Sequence, residues 1–325
     1  MRAVRLERTG ASEVLQVTEI ADPVPAPDEL VVRVQAAGVN MLDVHQRAGR
    51  SPLHELPSGI GLEGAGEVTA VGTDVVGTVS GDRVVWGHAL GSYAELVAVP
   101  AAEAIAVPDG LDSDLAAAVL HQGITAHYLS HSLRALREDD TVLVVAAGGG
   151  VGGLLVQLAS MRGARVLAAT STHAKAAQVR ALGADAVILY RDEDLGVAAR
   201  ELTNGRGVDV VYDPVGADTF DASLRALRVR GLYVLFGVTS GPVPPVDLQR
   251  FAAAGSLFVT RPMLSAYTAT RDELEWRASA VLELARTGRL AVHVDARYSL
   301  EDAGRAHDDL TSGATTGKLL VVPTG

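Results

Sequence analysis

The chain contains no cysteine. Disulfides are therefore excluded, and so are zinc sites built wholly or partly on thiolates. Positive charge is scarce relative to negative: 28 Lys and Arg stand against 39 Asp and Glu, a formal net charge of −11. Duplex nucleic-acid binders draw their affinity from clustered Lys and Arg, so this balance argues against nucleic acid as a partner. It suits a protein whose partners are small molecules. No uninterrupted apolar run reaches the ~18 residues of a membrane-spanning helix, and no membrane insertion is expected. The opening MRAVRLERTG lacks the apolar core of a signal peptide, which points to a cytoplasmic protein. Internal repeats and low-complexity tracts are absent as well.

What is there is a globular composition. With 325 residues, 48% of them hydrophobic, the chain can build two domains with sizeable cores. Roughly the first 120 residues carry short apolar runs broken at close intervals: LVVRVQAAGV, GAGEVTAVG, GDRVVWG and YAELVAVP. These read as strands ending at turn residues, an irregular β domain. A helix is expected in DSDLAAAVLHQGITAHYLSHSL. After it, TVLVVAA, RVLAAT, DAVILY, VDVVYDP, GLYVLFG and SLFVT read as strands buried on both faces. Helical stretches such as HAKAAQVRAL and TFDASLRAL lie between them. That alternation predicts an α/β fold with a doubly wound parallel sheet. The tail reads as a long helix in RDELEWRASAVLELARTG, stopped at Gly288, then strand, helix and the strand GKLLVVP. β-rich material on both sides suggests a nucleotide-binding domain inserted into a split second domain.

The segment TVLVVAAGGGVGGLLVQLASMRGARVLAAT places strand, glycine turn, helix and strand within about 30 residues, the size of a nucleotide-binding βαβ unit. Gly149 and Gly150 let the backbone bend and approach a pyrophosphate. A helix starting near Val151 offers free N–H groups and a partial positive charge to that anion. At the end of the second strand an NAD site usually carries an acidic residue. Here stand Thr170, Ser171 and Thr172, then His173 and Lys175. Hydroxyls and a cation suit a 2′-phosphate, so NADPH is the expected cofactor. Tyr190 and Arg191, after the next strand, are placed to close the same pocket. The alternative for Lys175 is a solvated helix lysine.

The segments GVNMLDVHQRAG, LPSGIGLEGAGEV, GDRVVW, QGITAHYL, AAGGGVGG, YRDEDL, VVYDPVG, FVTRP and GKLLVVP, in this order and spacing, run through nearly the whole length. The chain resembles the zinc-independent quinone oxidoreductases, related to zeta-crystallin, of the medium-chain dehydrogenase/reductase superfamily. The resemblance implies a Rossmann-type domain over 123–262, inserted into a GroES-like catalytic domain over 1–122 that residues 263–325 complete. It implies that Asn40 and Asp43 face the nicotinamide and the substrate, although a polar pair after a strand is equally common in turns. Thr125 matches a threonine on the nicotinamide side. Gly149, Gly150 and Val151 match the pyrophosphate turn, and Ser171, Lys175 and Tyr190 the adenosine-phosphate pocket. Phe236, Gly237 and Val238 end a strand, where ligands of open α/β sheets bind. Lys318 lies in the segment that returns to the cofactor in similar enzymes; a lysine opening an edge strand is the other reading.

Where the alcohol dehydrogenase branch has a metal-binding histidine before its cleft glutamate, this chain has Leu62. His45, His54, His88, His121, His127 and His131 show no convincing metal-site spacing, so a metal-free mechanism is expected. Without a Lewis acid, oxidising an alcohol lacks a partner for the alkoxide, whereas reducing a conjugated carbonyl leaves a delocalised anion. The expected activity is NADPH-dependent reduction of a quinone or another α,β-unsaturated carbonyl. Tyrosines on the substrate side of relatives appear here as His45 and Ser51. His45 is thus a candidate proton donor, or simply a lining or exposed histidine. Two alternatives stay open: an enoyl or tailoring reductase acting on a polyketide-like enone, and a non-catalytic NADPH-binding structural or regulatory protein. The strand in SLFVTRP pairs with its twin in relatives, which implies a homodimer.

Overall fold

The computed structural model describes residues 1–53 and 55–323. His54, one of the histidines considered above, lies outside the described residues. Strands and helices follow one another in chain order as Arg2–Leu6 (β1), Gln16–Glu19 (β2), Glu29–Gly38 (β3), Met41–Arg47 (α1), Ser58–Gly59 (β4), Glu63–Val71 (β5), Arg83–Trp86 (β6), Leu96–Pro100 (β7), Ile105–Ala106 (β8) and Ser113–Tyr128 (α2). Then come Thr141–Val144 (β9), Gly150–Met161 (α3), Arg165–Thr170 (β10), His173–Ala181 (α4), Ala186–Leu189 (β11), Leu195–Leu202 (α5), Val208–Asp213 (β12), Phe220–Ala226 (α6), Leu227–Leu235 (β13), Gln249–Ala253 (α7) and Phe258–Thr260 (β14). The chain finishes with Arg271–Arg286 (α8), Val294–Tyr298 (β15), Ala303–Ser312 (α9) and Lys318–Val321 (β16).

Two compact units result: Met1–Ile124 with Thr270–Gly325, and Thr125–Ala269. Both junctions fall later than the expected 122/123 and 262/263. Tyr267 stacks on Tyr128 with ring centroids 4.3 Å apart, which keeps the stretch up to 267 with the second unit.

In the first unit the main sheet runs β15-β16-β3-β5-β6-β8, with β7 also paired to β3, and a smaller sheet runs β2-β1-β4. Alternating burial along β7 and near-continuous burial along β3 place one core beneath the main sheet, around Leu30, Val32, Trp86, Tyr93 and Leu319. Three neighbouring strands meet end to end in register. Gly38 lies opposite Glu63 on β5 and opposite Leu320 on β16. Gly288 stops α8 with φ +68°, a left-handed residue just past the helix that closes its last carbonyls.

In the second unit the sheet order is β11-β10-β9-β12-β13-β14 and every pairing is parallel. Central strands β9 and β12 are buried along their whole length, as strands covered by helices on both faces are, and β12 carries Asp209 and Asp213 into that burial. The strand order reverses beside β9, the switch point at which open α/β sheets hold their ligands.

Candidate active site

All pairings being parallel, the turns after β9, β10, β11 and β13 emerge on one edge of the second unit's sheet. The turn after β9 spans Val145 to Gly149. Ala146 adopts φ +52°, a left-handed conformation that costs a non-glycine residue about 1–2 kcal/mol. Gly149 then caps α3 without a side-chain hydrogen bond, and the first turn of the helix carries no acidic residue. Its leading N–H groups, on Gly150 and Val151, are thus left for an anion in place of a capping side chain. A Cβ on Gly152 would stand 2.5 Å from the Ala146 carbonyl oxygen, so only glycine lets the helix start this close to the turn.

The neighbouring turn supplies the hydroxyls and the lysine. Thr172 caps α4, its hydroxyl accepting from the Lys175 N–H at 3.3 Å. The Lys175 stem lies against Gly148, 3.0 Å from where a Cβ would be, which brings α4 up to the glycine turn. Ser171 sits between β10 and α4, and the Tyr190 N–H donates to the Thr170 carbonyl at 3.2 Å. Ser171, Lys175 and Tyr190 thus lie on the same sheet edge as Gly149, Gly150 and Val151. Thr125 is buried at the start of the second unit, within α2.

Phe236, Gly237 and Val238 follow β13 on the same edge. The Phe236 N–H donates to the Asp213 carbonyl at 2.9 Å, and a Cβ on Gly237 would be 2.6 Å from the Pro214 carbonyl oxygen. Asp213 itself is a hub that sequence reading passed over. It is fully buried. One carboxylate oxygen accepts from the Val215 and Gly216 N–H groups, the other from Thr219, Ser223 and Tyr233 hydroxyls at 2.7, 2.9 and 3.1 Å. Within VVYDPVG only the Val215 and Gly216 N–H groups reach it; the three hydroxyls come from Thr219, just before α6, from Ser223 on α6 and from Tyr233 on β13, which local pattern does not announce.

In the first unit Asn40, Glu63 and Lys318 form one buried cluster. Lys318 is 1% exposed and Glu63 fully buried, and the two make an ion pair at 2.5 Å. The Lys318 ammonium also donates to Asn40 Oδ1 at 2.8 Å, while Asn40 Nδ2 donates to Glu63 Oε2 at 3.0 Å. The other Glu63 oxygen accepts from the His121 backbone N–H at 2.7 Å. Lys318 opens β16, but β16 lies between β15 and β3 and is not the edge strand of one expectation, and the side chain is buried and paired.

Asp43 is fully buried, accepts from the Asn40 backbone N–H at 2.7 Å and from the Tyr93 hydroxyl at 3.2 Å, and so anchors the start of α1. Burial pushes its carboxyl up to about 7, outweighing the Asn40 N–H and Lys318, which pull it down. The Tyr93 hydroxyl continues to His307 Nε2 at 3.2 Å, and burial beside Arg47 brings His307 down to about 3. His45, on α1, is half-buried with an unpartnered Nδ1. Burial, with Arg50 adding to it, holds His45 below the ordinary histidine value. A neutral imidazole is a weak acid, and His45 is poorly set to give up a proton.

Residues 26–109 match the family described as the alcohol dehydrogenase GroES-like domain, and residues 150–279 match the one described as zinc-binding dehydrogenase. The quinone oxidoreductase of Pseudomonas aeruginosa is 39% identical over 99% of both chains. The chain belongs to the quinone oxidoreductases of the medium-chain dehydrogenase/reductase superfamily. Among solved quinone oxidoreductases, that of Escherichia coli complexed with NADPH has TM-score 0.96 at 39% identity, covering 99% of this chain and all of that one. A mycobacterial protein complexed with NADPH also gives TM-score 0.96, at 44% identity and the same coverage. Among the described residues of this quinone oxidoreductase, no three His, Asp or Glu side chains converge as a metal site, and a lysine lies against the buried glutamate.

Proposed function

We propose that the chain is an NADPH-dependent reductase that delivers hydride to quinones or other α,β-unsaturated carbonyls. The glycine turn carries this reading: an uncapped helix N-terminus at the switch point of a parallel sheet, with Thr170, Ser171, Lys175 and Tyr190 beside it. Gly149, Gly150 and Val151 would hold the pyrophosphate and Ser171, Lys175 and Tyr190 the 2′-phosphate. Thr125 and Phe236–Val238 would flank the nicotinamide half. Bound there, NADPH would supply the hydride. Asn40 would orient the reacting end, and the proton would come from water, given the depressed basicity of His45.

NADPH consumption across a panel of quinones and enones tests the activity. Flat absorbance with every acceptor, together with saturable NADPH binding, would favour the non-catalytic alternative. Rates on naphthoquinone against simple enones separate a quinone reductase from an enone-tailoring one. Lys175→Ala should weaken NADPH much more than NADH, and equal weakening would remove the 2′-phosphate contact.

A homodimer in the cytoplasm belongs to the same reading. Strand β14 edges the sheet, pairing with β13, and leaves Phe258 62% and Val259 43% exposed. An apolar open edge of this kind is an aggregation hazard unless a second copy covers it. Val259→Lys should shift the sedimentation coefficient to that of a monomer.

A further inference from the structure

The cluster of Asn40, Glu63 and Lys318 rests on a gap in the sheet. Lys318 on β16 and Glu63 on β5 flank β3, which separates them at Gly38. A Cβ at Gly38 would stand 2.2 Å from Glu63 Oε2 and 2.7 Å from Lys318 Cε. The missing side chain is what lets the two charges meet across the middle strand.

Both charges close on the same carboxamide. A carboxamide has nearly equal ends by shape, and only its hydrogen-bonding partners decide which end is oxygen and which is nitrogen. Lysine can only donate and a carboxylate can only accept. Lys318 therefore meets Oδ1, and Glu63 meets Nδ2. The second N–H of Nδ2 has a long contact of 3.4 Å to the Gly38 carbonyl.

We propose that Lys318 and Glu63 are an internal ion-pair clamp that fixes which way the Asn40 carboxamide points, so that Lys318 is a positioning residue and not a ligand of the cofactor. Only the rate measurement below rests on the functional reading given above. The fixed charge does for a metal-free site what a bound cation does elsewhere: it holds a polar group in one orientation before the substrate arrives.

The test is a cycle of four proteins: the unsubstituted chain, Asn40→Ala, Lys318→Met, and both together. Its first readout needs no cofactor. In nitrogen-labelled protein the Asn40 side-chain amide signal, assigned by its loss in Asn40→Ala, should exchange slowly with solvent. In Lys318→Met it should exchange faster or split into two. An unchanged signal overturns the clamp. The second readout is the steady-state rate with NADPH and the best acceptor of the panel. Each single substitution should lower kcat by up to about 10²-fold, the scale of a misplaced orienting group. Combining them should add little, because Lys318 acts through Asn40. Losses that multiply, or a Lys318→Met rate within about twofold of the unsubstituted chain, overturn the proposal. Should Lys318→Met fail to fold, the charge-balanced pair Glu63→Gln with Lys318→Met replaces it, with the same loss of amide protection and rate expected. If NADPH absorbance stays flat with every acceptor of the panel, the functional reading falls, while the amide signal still decides the clamp.

Discussion

Each unit buries a carboxylate completely, and the two are satisfied in opposite ways. In the first unit Glu63 is held by a cation, Lys318, with Asn40 and the His121 N–H filling its remaining positions. In the second unit Asp213 gathers five neutral donors, two backbone N–H groups and three hydroxyls. Both arrangements stabilise a buried negative charge, but they fail differently. A cation removed leaves a whole charge unmatched in low dielectric. One hydroxyl removed leaves four donors in place. Asp43 shows the incomplete case: one N–H, one tyrosine hydroxyl and an unpartnered Oδ1, and its carboxyl is pushed up to about 7.

The comparison can be broken most severely at Lys318. Lys318→Met should cost about 3–5 kcal/mol in chemical denaturation, the range for a buried pair that loses one partner. Adding Glu63→Gln to it should recover most of that loss. Failure to recover would mean that packing, and not the unmatched charge, sets the cost.

Next in size is a pH effect from the incomplete case. For Asp43 the folded value of about 7 lies above the ~3.9 of an unfolded aspartate, so folding favours its protonated form. That contribution is complete below about pH 4 and is lost as pH rises through about 7. His307, joined to Asp43 through Tyr93, has the opposite sign. Its folded value of about 3 lies below the ~6.5 of an unfolded histidine, so its contribution is complete above about pH 6.5 and lost as pH falls toward 3. The two slopes oppose each other between about pH 4 and 6.5. Asp43→Asn should unmask stability that rises with pH across this window, and His307→Asn stability that falls, as melting temperatures would show.

The smallest effects belong to the hydroxyl-held carboxylate. Asp213→Asn removes the charge and puts an NH2 where either two N–H groups or three donating hydroxyls now point, and should cost about 1–3 kcal/mol. Ser223→Ala should cost about 1 kcal/mol, since four donors remain. A larger loss for Ser223→Ala than for Asp213→Asn would end the distinction between shared and single-partner charge compensation.

Much of the fold was legible before any coordinates. Strands such as TVLV and VDVVYD, buried along their length, announce themselves by short, mostly apolar runs, and the glycine turn by its place between strand and helix. Gly149, Gly150, Val151, Ser171, Lys175 and Tyr190 lie on one sheet edge because parallel strands deliver their ends there, a rule that sequence order carries with it. The first unit was harder. Glu63 served only as a landmark beside Leu62, and Lys318 was open between two readings. Their meeting depends on the register of three strands at Gly38, which local pattern does not encode. The burial of Asp43 is not announced for the same reason: Tyr93, its partner, lies 50 residues away in sequence. Asp213 was invisible as a hub because hydroxyl donors on a later helix and strand look like ordinary helix and strand residues.

The split of the first unit also bears on how the molecule is made. Its two segments are separated in the chain by the whole of the second unit, whose strands and helices come from one continuous stretch. As the chain leaves the ribosome, the second unit can close before the first has all its parts. Glu63 must wait through 255 further residues for Lys318. Until then it is a charge without its cation, and β3 lacks β16 along its edge. The clamp is thus among the last polar contacts that synthesis permits in the first unit, followed by those of Leu319, Val322 and Pro323. A chain cut short before Lys318 would leave a finished nucleotide-binding sheet beside a domain that keeps its buried acid but not the base that answers it.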